Sequence, residues 1–295
     1  MIADDPDAPL DVTVMTLNAA TLFEAGWSER RSALARWIAL VDPDIVCLQE
    51  VFGDEQGASA VDQIFAPDGE CPRHGVFGGF PVDESLWPER DVMLGSFIAS
   101  RWPIEHRALI ALPTDDTPGA PAHFRMQLEV LHARTRGVDV YSTHLAPSPR
   151  QGYHRVRQVV HLDRFVRESV QAACPNPPII CGDFNAEPES DEIRFLCGFA
   201  VIDGATTYYQ DAWRVARGGE PGHTWDIENP NASALNVPSK RIDYVFVGDP
   251  FQRPDSAGRI CSSSLVCNSA LNGFQFPSDH YGLVATISLS NHIGG

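Results

Sequence analysis

The stretch "PPIICGDFNAEPES", residues 177 to 190, ends an apolar run in Gly182, Asp183, Phe184 and Asn185. A carboxylate and a carboxamide two positions apart can serve there as turn residues that bond their own backbone. They can also be chemical groups held on a stiff strand end, which positions a side chain better than a loop does. Other polar groups share that placement. Asn18 ends "VTVMTLN", Glu50 ends "DIVCLQE" and His144 ends "VDVYSTH". Asp243 lies in "KRIDYVFV", and Asp279 with His280 precedes "YGLVATISL". Carboxylates are the donors a hard divalent cation takes, and histidine is the side chain whose charge changes near neutral pH. No serine or cysteine nucleophile motif accompanies them.

The elements that must position these groups follow from hydrophobic periodicity. "LDVTVMTLN" alternates like a strand, and "SERRSALARWIALV" has helical spacing with Ser28 as its expected N-cap. Pro43 ends that helix, and "PDIVCLQEV" is a second strand. Residues 53–90, rich in Gly, Pro and Asp, read mostly as loops with a short helix near "GASAVDQIF". Strands are expected at 92–99, 104–111, 122–131 and 137–144. The longest helix is "QGYHRVRQVVHLDRFVRESVQAAC". The "IICGDFN" strand follows, then a helix around 189–197 and an irregular stretch over 203–239. Strands return at 242–247, 259–267 and 282–289. Strands in runs, interrupted by helices without strict alternation, predict an α/β (α+β) fold. The expected form is a four-layer sandwich, with two mixed, mostly antiparallel β-sheets face to face and helices on the outer faces. One domain over 10–290 is expected, with a loose tail at 1–9 and another at 291–295.

Net charge is -17, from 22 basic and 39 acidic residues, and Lys240 is the single lysine. Such a field repels a polyanion and suits a site that recruits divalent cations. A small molecule is therefore the expected partner ahead of long nucleic acid. The acidic first residues lack the apolar core of a signal peptide. No run of 18 apolar residues exists, so no membrane span is expected. No protein partner can be inferred. The 7 cysteines form no CxxC. Cys47 and Cys181 lie inside strands, and the reading is a reducing cytoplasm, with a Cys261–Cys267 disulfide as the open alternative.

The stretches "TLN", "CLQE", "STHL", "GDFN", "RIDYVF" and "SDH", in this order over residues 16–280, resemble the endonuclease/exonuclease/phosphatase superfamily. That group of metal-dependent phosphoesterases includes pancreatic-type deoxyribonuclease, abasic-site endonucleases and deadenylases. The resemblance implies Mg2+, with Mn2+ as a substitute, held by Glu50 with Asn18 beside it and Asp279 as second carboxylate. It implies that Asp183 orients or deprotonates an attacking water and that Asn185 holds the water or a phosphate oxygen. His280 would contact the scissile phosphate, with Asp243 holding its ring, and His144 would stabilise charge or protonate the leaving oxygen. The reaction implied is in-line attack of water on the phosphorus of a diester or monoester.

The resemblance thins in places. Asp91 is the candidate partner for His144. Arg125 falls where some relatives contact phosphate, against the competing reading of a solvated strand-edge arginine. Trp225, in "GHTWDIENPNA", lines the substrate cleft or packs under a loop. Two other functions stay open: a DNA or RNA nuclease of the same fold, and a binding scaffold without activity. The second conflicts with the full set of acids and histidines.

Overall fold

The computed structural model describes residues 10–21, 25–82, 92–115, 121, 125–170, 176–232, 237–248, 257–271, 273 and 275–290. Both expected tails lie outside them. The first half of the chain forms β1 (Leu10–Asn18), α1 (Trp27–Val41), β2 (Ile45–Gly53), α2 (Asp62–Phe65), β3 (His74–Pro81), β4 (Met93–Ser100), β5 (Ile104–Ala111), β6 (Glu129–Thr135) and β7 (Val138–His144). The second half forms α3 (Gly152–Ser169), β8 (Ile179–Asp183), α4 (Asp191–Leu196), β9 (Tyr209–Asp211), α5 (Ala212–Arg217), β10 (Asp243–Gly248), β11 (Arg259–Val266) and β12 (Gly282–Leu289).

Two six-stranded sheets result, ordered β11-β12-β1-β2-β4-β3 and β5-β6-β7-β8-β10-β9. The pairs β1–β2 and β7–β8 are parallel, and the remaining pairs are antiparallel. The expected sandwich is therefore the observed one.

Alternation along each strand builds three cores. Val12 and Val14 of β1, Ile45 and Cys47 of β2, Val138 and Val140 of β7 and Ile179 and Cys181 of β8 face the other sheet. Met15, Leu17, Val46 and Leu48 face outward onto Leu34 and Ile38 of α1. Ile180, Tyr244 and Phe246 face outward onto Val159 and Leu162 of α3 and Ile193 of α4. Each buried aliphatic side chain contributes about 1.5–3 kcal/mol. A one-residue slip would exchange the two faces of a strand, so these rows lock the register.

The structure departs from the sequence expectations in four places. Strand β3 lies in a region expected to be loops, because its glycines sit where neighbours come close. A Cβ on Gly79 would lie 2.4 Å from the Leu94 carbonyl oxygen, and one on Gly75 would lie 2.4 Å from the Phe97 ring. Strand β6 begins at Glu129 rather than 122. The irregular stretch after residue 203 contains β9 and α5. Helix α1 starts from Gly26 in a left-handed conformation, and Ser28 lies in its first turn. Cys261 and Cys267 are free thiols, as are the other cysteines among the described residues.

Candidate active site

The inward rows end in polar side chains at one edge of the sandwich. On β1 the row continues from Val14 through Thr16 to Asn18. On β7 it runs through Ser142 to His144, and on β8 through Cys181 to Asp183. Asp243 opens the row of β10 ahead of Val245 and Val247. In the sheet, Asp183 is the direct register partner of both His144 and Asp243. The polar rows also join the sheets, since Gln49 Nε2 donates across to Ser142 Oγ at 2.9 Å.

Glu50 breaks the parity of β2. Its register with β4 shifts between Leu48 and Val51, and Glu50 has φ 52. That bulge re-aims one side chain without disturbing the apolar positions around it. Glu50 thereby meets Asn18, whose Nδ2 donates to Glu50 Oε1 at 3.0 Å and to Asp183 Oδ2 at 3.0 Å. The Asn18 oxygen accepts from the Ala20 amide at 3.1 Å. Its amide nitrogen, not its oxygen, therefore faces the two acids.

Gly182 has φ +150, and a Cβ there would lie 1.9 Å from the Thr143 carbonyl oxygen. Only glycine lets β8 approach β7 this closely. Asp183 Oδ1 accepts from the Asn185 amide at 2.8 Å, and Asn185 has φ 49. The pair is thus a turn in the sense first considered, and both members also face the site. Asn185 Nδ2 donates to the Leu145 carbonyl at 3.0 Å and contacts His144 Nε2 at 3.1 Å. His144 Nε2 lies 3.7 Å from Asp183 Oδ2 and 3.8 Å from Glu50 Oε1.

His280 arrives from the loop before β12. Its Nδ1 donates to Asp243 Oδ2 at 2.9 Å, and its Nε2 lies 3.7 Å from Asp183 Oδ2. Ligand atoms of Asp183, Asp243 and His280 lie within 4.8 Å of one another. Burial works against the His280 cation, but Asp243 and then Asp183 outweigh it and hold the imidazole pKa well above its usual value. Ser278 fixes this loop by donating from Oγ to the Asn18 carbonyl at 2.6 Å, and the same Oγ lies 3.0 Å from Asp279 Oδ1. Asp279 is half-buried.

Glu50 is pushed up by burial, drawn down by His144 and pushed up again by Asp279. A buried carboxyl with a second carboxylate beside it at a half-buried position fits a hard divalent cation, which needs only one or two carboxylates plus water and substrate oxygens. Asn18 in its present orientation braces both acids; its oxygen would reach a cation only if the carboxamide turned over.

Arg125 and Trp225 fare differently. Arg125 is exposed ahead of β6, and no hydrogen bond or ion pair among the described residues joins it to the site. Trp225 is buried, and its ring stands edge-on to His280 with centroids 5.1 Å apart. It therefore packs against the histidine rather than lining an open cleft. Asp91 lies outside the described residues.

One acid escaped the sequence reading. Glu129 opens the inward row of β6, next to the Val130–Thr143 pair. It is buried, accepts from Ser96 Oγ at 2.8 Å, and burial pushes its pKa up to about 8. It forms no ion pair with His144 among the described residues. The legible signal was an acid at inward parity in "LEVLHA".

Comparison with known proteins defines the class. Residues 15–280 match the model of the Endonuclease/Exonuclease/phosphatase family, and the chain belongs to that family. It is similar to human Nocturnin, 24% identical over 286 residues, which cover 91% of this chain and 60% of that protein. The chain thus spans about three fifths of the length of that relative. In fold it is similar to D. rerio TDP2 complexed with single strand DNA product, with TM-score 0.68, 20% identity, and 94% and 98% of the two chains covered. It is also similar to the human Nocturnin catalytic domain with bound sulfate, with TM-score 0.65, 22% identity, and 96% and 94% covered.

Proposed function

We propose that this protein is a divalent-metal-dependent phosphodiesterase that hydrolyses its ester by in-line attack of water. The observation that carries the reading is the convergence of Asp183, Asp243 and His280 within 4.8 Å, with Asn18 joining Asp183 to Glu50. Glu50 and Asp279 would hold the cation. Mg2+ suits the oxygen donors and Mn2+ substitutes; when bound, it neutralises charge on the phosphoryl and leaving oxygens.

The chain's own residues supply the rest. Asp183 Oδ2, shared by Asn18 and near both histidines, orients a water and accepts its proton. Asn185 places its amide beside that position. His280, held as a cation by Asp243, donates from Nε2 to a phosphoryl oxygen as negative charge develops. His144 lies on the other side of Asp183 and faces the leaving oxygen.

The net charge favours a small ester. D. rerio TDP2, solved with a single strand DNA product, supports the nuclease alternative, so charge alone does not decide substrate size. A cytoplasmic location is proposed from the free thiols.

The test is hydrolysis of bis(p-nitrophenyl) phosphate and of p-nitrophenyl phosphate with Mg2+, Mn2+ or chelator. The diester should be cleaved with metal and spared with chelator, and His280→Ala should lose roughly 100-fold to 10,000-fold. Equal turnover by wild type and variant would remove the assignment. Plasmid nicking at low and moderate salt separates nuclease from small-ester specificity.

A further inference from the structure

Beside the site lies an open pocket of 830 Å3. Its walls come from the segment after the Asp183 turn, from α4 and the residues following it, from α5 with its glycine loop, and from Arg241. Arg241 stands two residues ahead of Asp243, and Glu189 stands four after Asn185. The pocket therefore opens at the same end of β8 and β10 as the site.

Three arginines line it, Arg194, Arg214 and Arg241, in a chain whose net charge is -17. Arg241 is buried. It pairs with Asp211 at 2.8 Å and lies over the Tyr244 ring at 4.6 Å. Its Nε is buried without a hydrogen-bond partner, a donor left for a ligand to match. Asp211 also accepts from the Trp213 and Arg214 amides at 3.0 and 3.3 Å. One acid thus fixes both Arg241 and the start of the helix that carries Arg214.

The rim is an unusual surface for a soluble chain. Phe199 is 53% exposed, and the Arg214 guanidinium lies 4.6 Å from its ring centroid. Arg214 forms no ion pair among the described residues. A planar cation on an exposed ring offers flat stacking area for another π-system. The carboxylates Glu189 and Glu220 line the same pocket, so it presents acceptors as well as donors. A bare anion would meet those carboxylates, and an alkyl group would leave every polar edge unmatched. A heteroaromatic ring with both donor and acceptor edges matches the set, and the volume suits a nucleoside-sized group.

We propose that this pocket is a nucleobase subsite. It takes the ring borne by one ester arm of a substrate whose phosphorus lies at Asp183 and His280, an inference that rests on the phosphodiesterase reading above.

The test compares two esters with one leaving group, a nucleoside 5'-(p-nitrophenyl) phosphate and methyl p-nitrophenyl phosphate. Wild type should favour the nucleoside ester in kcat/KM by about tenfold or more, the scale of one base–aromatic stack. The ratio should fall toward unity in the double variant Phe199→Ala with Arg214→Gln, and partway in Arg214→Gln alone, an exposed helix position that leaves the core intact. A ratio equal to that of wild type overturns the subsite. If wild type cleaves neither ester, the phosphodiesterase reading fails, and calorimetric titration with a nucleoside 5'-monophosphate still decides the subsite. Binding that weakens about tenfold in the variant supports it; absent or unchanged binding overturns it.

Discussion

Asn18 donates to Glu50 Oε1 and to Asp183 Oδ2, both at 3.0 Å. One carboxamide therefore spans the two sheets and holds Glu50 of one against Asp183 of the other. Each acid gains a hydrogen-bond donor from the same side chain, which fixes the position of one relative to the other.

Removing the bridge should cost catalysis more than folding. In Asn18→Ala both acids lose a donor and gain freedom. The kcat/KM for bis(p-nitrophenyl) phosphate is expected to fall roughly 100-fold, the scale of a misplaced reacting group, with a native circular dichroism spectrum. Wild-type kcat/KM in the variant would deny the bridge its positioning role.

The Asp243–His280 pair predicts a pH-dependent stability. The folded-state pKa of His280 is raised above the unfolded value of 6.5. Its contribution is therefore fully present below that value and is lost as pH rises through the folded pKa. Thermal melts in chelator should show that loss on the alkaline side of 6.5. Asp243→Asn should flatten it and destabilise the fold by about 3–5 kcal/mol, the cost of breaking a buried pair.

Glu129 predicts the opposite substitution effect. Its folded pKa is about 8 against an ordinary value of 4.5, so the folded state holds a proton that the unfolded state releases between those values. Stability from this group falls as pH rises from 4.5 to about 8, by up to about 1.4 kcal/mol per pH unit, and is then level. Glu129→Gln keeps an acceptor for Ser96 and needs no proton. Its melting temperature in chelator should exceed that of wild type at pH 8 and match it near pH 4.5. Equal melts at pH 8 would contradict the assignment.

Arg30 predicts a coupled loss of fold and site. It is buried and donates to the carbonyls of Ala19, Ala20 and Pro277 at 3.0, 2.8 and 2.9 Å. It thereby ties the loop after Asn18 to the segment before Asp279. Arg30→Met keeps the bulk and loses these bonds. Urea unfolding should show a loss of about 3 kcal/mol or more.

The sequence made the strand ends legible because apolar rows point their last residue the same way, as in Val12, Val14, Thr16 and Asn18. It did not make the bulge at Glu50 legible, since parity alone turns that side chain outward. Strand β3 was hidden because its glycines read as turn residues, although they serve close approach to Phe97 and Leu94. Glu129 lay inside the strand expected at 122–131 but drew no role, because its place at the start of the inward row shows only once β6 is seen to begin there. For Trp225 the sequence left cleft lining and packing under a loop both open; its ring contact with His280 joins segments 55 residues apart, beyond any local pattern. The arginine pocket combines four separate segments, and no short motif announces it.

The central claim is that Glu50, re-aimed by its bulge, holds a divalent cation against the Asp183–His280 centre. Mn2+ titration followed by electron paramagnetic resonance tests it most directly, with wild type and Glu50→Gln side by side. The account predicts a bound-ion signal in wild type and an affinity lower by roughly 100-fold or more in the variant. Equal Mn2+ affinity in the two proteins would contradict it.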